Sequence, residues 1–172
     1  MPEKKEFKVL QKEAVERAAK FFKEYDGDSD RAAAILIAAD FENALKAEIE
    51  DEFVTLDTEI KNEIFTNSGA LSTFAAKINI GYALGLFGPE TRKSLKVAKN
   101  IRNKFAHAAE PLTFADAKIS KLCKDNFEPI LNNNPEDSRE RYSRYLAEVI
   151  DNIKHAGAAR PNRKIRNPPA LP

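Results

Sequence analysis

Residues 30–50 read DRAAAILIAADFENALKAEIE, and this segment constrains the fold more than any other. Its length and alanine content favour a helix over a strand. Apolar residues lie on most of its sides, and a helix of that kind has to be enclosed by others. The chain must therefore supply several covering helices.

The rest of the sequence provides them. Residues 6–25, EFKVLQKEAVERAAKFFKEY, place Phe7, Leu10, Ala14, Ala18, Phe21 and Tyr25 on one face of an otherwise charged helix. DGDSD then reads as a turn and an N-cap. Residues 57–66 form a short helix, and NSGALS is a loop. Ser72 is the expected N-cap of TFAAKINIGYALGLF, which Gly88-Pro89 breaks. Pro89 suits the first position of the next helix, over 90–107, because its missing N–H has no helical partner there anyway. Thr113 with Asp116 has the form of a capping box, opening a helix to about Phe127. After the NNNPEDS loop, ERYSRYLAEVIDNIKHA is the last amphipathic helix. The ending, GAARPNRKIRNPPALP, has four basic residues, four prolines and no acid, and is expected to be a disordered tail. The reading is all-α: a single-domain bundle of about seven helices over residues 1–155, with a basic tail at 156–172.

Lys and Arg number 28 and Asp and Glu 27, so bulk charge builds no DNA-binding surface. Direct sequence-specific DNA binding is not expected, although a local basic patch stays open. One cysteine, Cys123, excludes an internal disulfide and a multi-Cys zinc site. The N-terminal MPEKKEFKVLQKE lacks the apolar run of a signal peptide. No segment approaches the roughly 20 apolar residues that span a bilayer, so a cytoplasmic protein without a membrane partner is expected.

The helix over 90–107 contains RNKFAH. At about 100° per residue, Val97, Ile101, Phe105, Ala98, Ala109 and Leu95 share an apolar arc. Arg92, Lys96, Lys99, Asn100, Asn103 and His107 lie opposite. Arg102 falls within the apolar arc, where a guanidinium requires a partner. Asp40, set among Leu36, Ala33, Ala44 and Ala47, is the expected mate, with Glu42 the second choice. Asn103 and His107, four apart, share a face, as helix neighbours do. With Lys96 and Lys99 they make the candidate binding surface, and Lys93 and Lys104 add to its charge.

Other chemistry has little support. Ser72-Thr73 lacks the glycine elbow of a serine nucleophile. GYALGLFG has no Lys-Ser/Thr after it, as a phosphate loop requires. Two separated histidines and one cysteine make no metal site, and no cofactor is expected. His155 is expected to meet the last carbonyls of its helix or water, and Cys123 to lie in the core. Arg160, Arg163, Lys164 and Arg166 of the tail are candidate phosphate contacts.

RNKFAH resembles the Arg-x4-His signature of the HEPN superfamily, which includes dimeric, metal-independent endoribonucleases. A wider resemblance covers residues 29–114. SDRAAAILIAADFENALKAEI, GALSTFAAKINIGYALGLF and KVAKNIRNKFAHAAEPLTF are similar, in order and spacing, to the mannitol operon repressor (MtlR-like) family. Ala70 stands where many relatives carry Pro, and the basic C-terminus lies outside the pattern. The resemblance implies an all-helical repressor-like transcriptional regulator acting through a protein partner, such as a transcription factor. The HEPN alternative implies a homodimer that cleaves RNA, with Arg102 and His107 catalytic.

Overall fold

Six helices and no strand occur among the residues that the computed structural model describes, which are 25, 27–129, 131 and 135–158. They are α1 (Asp30–Asp51), α2 (Thr58–Phe65), α3 (Phe74–Ala83), α4 (Pro89–His107), α5 (Ala117–Phe127) and α6 (Ser138–Ala158). The helix expected over 6–25 and the tail from 159 lie outside the described residues. The last helix continues past 155, the boundary expected for the domain.

The enclosed segment is the centre of the bundle. Helix α1 packs against α3, α4 and α6, while α5 packs on α4 and α6. Its buried positions are Ala33, Ala34, Ile37, Ala38, Phe41, Leu45 and Ile49. The alanines let neighbouring helices approach closely, and the large residues fill the gaps between them. Asp40 points to solvent, and so does Leu36, at 44% exposure. An aromatic chain joins the other end. Phe105 of α4 packs on Phe114 (ring centroids 4.8 Å apart), Phe114 on Tyr142 (5.4 Å), and Tyr142 on Phe127 (6.1 Å), which stacks on Tyr145 at 4.5 Å. The two buried tyrosines are not left unpaired. Tyr142 donates to the Ala34 carbonyl at 3.2 Å and Tyr145 to the Thr91 carbonyl at 3.3 Å.

The helix ends carry identifiable signals. Ser29 caps α1, its hydroxyl accepting from Ala32 N at 3.2 Å. Asp57 caps α2 through Ile60 N. Thr73, rather than Ser72, caps α3 through Ala76 N at 3.1 Å. Helix α5 begins after Asp116, whose carboxylate accepts from Lys118 N and Ile119 N. Asp116 is thus the cap itself, not the third member of a box opened at Thr113. Helix α3 stops at Ala83, before the expected Gly88-Pro89 break. Gly85 adopts φ +74°, Leu86 N bonds Gly81 O, and Gly85 N bonds Tyr82 O. This is a Schellman ending, which favours glycine at the left-handed position. The chain then folds back, so that a Cβ at Gly81 would lie 2.9 Å from the Phe87 ring.

Candidate functional site

Three polar side chains from three helices meet where α1, α3 and α4 adjoin. Lys77 of α3 is buried, with 5% of its side chain exposed. Its Nζ donates to Glu42 Oε1 of α1 at 2.7 Å and to the Ser72 carbonyl at 3.1 Å. The other oxygen of Glu42, a residue 16% exposed, lies 3.8 Å from a terminal nitrogen of Arg102 on α4. Arg102 also donates to the side-chain oxygen of Asn103 at 3.1 Å. Its Nε is buried without a hydrogen-bond partner among the described residues. One carboxylate thus stands between two cations and supplies the counter-charge that a buried cationic side chain needs.

Arg102 is therefore paired, but not with the expected residue. Asp40 accepts from the Tyr25 hydroxyl and lies on the exposed side of α1. Two residues further along, Glu42 has turned by about 200° on the helix, and it faces α3 and α4. Arg102 sits between buried Leu95 and Ala98 on the helical wheel, and 32% of its side chain remains accessible. The aliphatic stem covers apolar surface while the guanidinium reaches the bundle edge.

The remaining candidates divide by exposure. Asn103 and Lys99 are half-buried, while Lys96 and His107 are exposed. His107 is the last residue of α4. It is about 140° round the helix from Arg102, and the structure records no bond between them. A basic residue at this end faces the carbonyl pole of the helix, where Lys104 and His107 are favourably placed. Thr73 acts as the N-cap of α3, its hydroxyl accepting from Ala76 N. Cys123 is buried, and burial pushes its thiol up to about 12. Burial also raises Tyr142 and Tyr145 far above the ordinary phenol range. These groups are core, not reactive chemistry. His155 Nδ1 donates to the Asp151 carbonyl at 2.7 Å. No group of three His, Cys, Asp or Glu residues positioned for a metal occurs among the described residues.

A second polar cluster escaped sequence reasoning. Arg31 at the start of α1 donates to the carbonyls of Ala106 (2.7 Å) and Ala108 (3.2 Å), closing the open end of α4. Its neighbour Asp30 accepts from Phe114 N at 2.8 Å and pairs with Arg139 of α6 at 3.2 Å. The Asp-Arg pair thus fixes the segment that follows RNKFAH. The three similar sequence blocks converge physically: Glu42 comes from the first, Lys77 from the second and Arg102 from the third.

No protein-family profile matches the chain, and no curated protein matches it. A solved structure does. It is the X-ray structure of the MtlR–HPr complex from Escherichia coli, with a TM-score of 0.59 over 84% of this chain and 98% of the chain matched. The fold is MtlR-like. Sequence identity is 16%, so the likeness is one of architecture. No helix among the described residues is long and apolar enough to cross a membrane.

Proposed function

We propose that this chain is a repressor-like transcriptional regulator of the mannitol-repressor type, working by protein–protein contact and not by reading DNA. The observation that carries the reading is the fold match over 98% of a chain from the MtlR–HPr complex. HPr, or a protein like it, is accordingly the first partner to test. The contact face proposed is the accessible side of α4, with Lys96, Lys99, Asn103 and His107. Arg102 and Asp40 have other work: Arg102 ties α4 to Glu42, and Asp40 holds Tyr25.

The ties that Arg102 makes within its own chain support the binding reading. A ribonuclease using Arg102 and His107 needs both on the same phosphate. Within one chain the guanidinium is engaged by Glu42 and Asn103 while the imidazole lies about 140° round the helix, so cleavage would have to draw the two from different subunits of a homodimer. Calorimetry with purified HPr from the same organism tests the proposal. Saturable binding at micromolar concentration supports it, and no heat at millimolar HPr refutes HPr as the partner.

A further inference from the structure

Charge in this bundle is segregated by helix. Helices α3, α4 and α5 carry Lys77, Arg92, Lys93, Lys96, Lys99, Arg102, Lys104, Lys118, Lys121 and Lys124, against Glu90 and Asp125. Helices α1 and α2 carry Asp30, Asp40, Glu42, Glu48, Glu50, Asp51, Glu59 and Glu63, against Arg31, Lys46 and Lys61. A chain that is nearly neutral overall is therefore strongly polarised.

The positive side has a defined centre. On α4, Arg92, Lys99, Asn103, Lys96, His107, Asn100, Lys93 and Lys104 fall within about 140° of helix circumference, and no acid lies in that arc. Elsewhere, lysines and arginines meet acids within the chain: Lys46 and Lys61 with Glu50, Lys121 with Asp125, Arg139 with Asp30, and Arg144 with Glu140. Lys93, Lys96, Lys99 and Lys104 make no ion pair among the described residues. Four unneutralised ammonium groups repel one another, and the repulsion is relieved when an acidic surface covers them.

An aromatic anchor stands at the start of this stripe. Tyr82 of α3 is 40% exposed, and the Arg92 guanidinium lies over its ring, 5.0 Å from the centroid. Arg92 is held there by a 2.9 Å bond to the side-chain oxygen of Asn79. Tyr and Arg are the residue types most often found as energetic anchors of protein interfaces, and this pair is ordered before any partner arrives.

We infer that the Tyr82–Arg92 pair and the Lys93, Lys96 and Lys99 ridge form a docking surface for an acidic face of a partner protein. The inference rests on the reading of α4 as a contact face and adds the chemistry of what it contacts. A protein surface is the better fit than a polyanion. The ridge is a single convex helix side, and the acidic α1 and α2 on the same small domain would oppose a long phosphate chain. A compact acidic helix or edge meets only the basic side.

The test uses the full-length protein and a Glu-rich helical peptide of about 20 residues, long enough to span the ridge at about 1.5 Å per residue. A single-stranded oligonucleotide of equal charge is the competitor. Binding is measured by fluorescence anisotropy, and folding of each variant is checked by circular dichroism. The inference predicts that Lys96→Glu/Lys99→Glu weakens peptide binding about tenfold or more. Tyr82→Ala weakens it severalfold, and Lys154→Glu on α6 leaves it unchanged. The oligonucleotide binds more weakly than the peptide. Peptide binding indifferent to Lys96→Glu/Lys99→Glu, or an oligonucleotide that binds more tightly through these lysines, overturns it. HPr is titrated against the same proteins. HPr binding with no peptide binding overturns this inference and leaves the regulator reading intact. Peptide binding through Lys96 and Lys99 without HPr binding supports it and counts against HPr as partner.

Discussion

Glu42 is the residue whose loss should cost most for a polar side chain in this fold. It faces Lys77 at 2.7 Å and Arg102 at 3.8 Å. With an effective dielectric of about 20, the gross attractions are about 6 and about 4 kcal/mol, most of which desolvation offsets. The asymmetry lies in what each deletion leaves behind. Glu42→Ala leaves the Lys77 ammonium buried, with the Ser72 carbonyl but no counter-charge. Breaking a buried pair in that way costs about 3–5 kcal/mol. For a protein of this length the corresponding fall in Tm is about 6–20 °C. Lys77→Met leaves Glu42 with Arg102 and partial hydration, so its cost is smaller, about 1–3 kcal/mol. Arg102→Ala removes a long, partly exposed contact and costs about 1 kcal/mol or less. The double variant Glu42→Ala/Lys77→Met removes both charges and costs less than the sum of the two singles, because no buried ammonium is left without a counter-charge. Urea unfolding followed by circular dichroism on the three single variants and the double gives the cycle. A Glu42→Ala cost below about 1 kcal/mol, or a double variant at the sum of the singles, refutes the argument that Glu42 keeps Lys77 buried.

Further outcomes follow from the same geometry. Arg31→Ala frees the Ala106 and Ala108 carbonyls, so amide exchange over 104–108 should rise about tenfold while the core of α1 is unaffected. Cys123 should resist a thiol reagent at pH 8 in the folded protein and react fully in denaturant, because the native thiol is raised to about 12 by burial. The native state then holds its proton where the unfolded state has lost it. Stability from this group is complete below pH 9 and falls as pH rises towards 12, and Tyr142 and Tyr145 act in the same direction at higher pH. Alkaline titration of the unfolding midpoint, in wild type and Cys123→Ala, checks the sign. A mixed RNA pool should stay intact with EDTA present, with wild type and with His107→Ala alike. Cleavage abolished by His107→Ala would restore the ribonuclease alternative.

Much of the architecture is legible in the chain itself. Alanines at 32–34, 38 and 39 with Ile37, Phe41 and Leu45 announce an enclosed helix, and Gly88-Pro89 marks the start of α4. The similar blocks mark out α1, α3 and α4. What sequence reasoning missed is mostly directional. A helix apolar on most sides gives a weak phase, so alanines around Asp40 look like core although small residues also tolerate exposure. Glu42, read as second choice, is the true partner of Arg102. Gly85 looks like a helix interior glycine until its positive φ turns the chain after Ala83. The Asp30–Arg31 clamp joins residues far apart in sequence, and no local pattern encodes it. The basic side of α4 could be read from spacing alone, but that Lys93, Lys96, Lys99 and Lys104 make no ion pair among the described residues required the folded arrangement.

The account turns on whether α4 is a surface for a protein. Amide shift mapping of the isotope-labelled full chain, on addition of unlabelled HPr from the same organism, addresses this most directly. The account predicts saturable changes that cluster on Lys96, Lys99, Asn103 and His107, with the buried residues of α1 unmoved. Shifts confined to α2 or α6, or none at millimolar HPr, would contradict it.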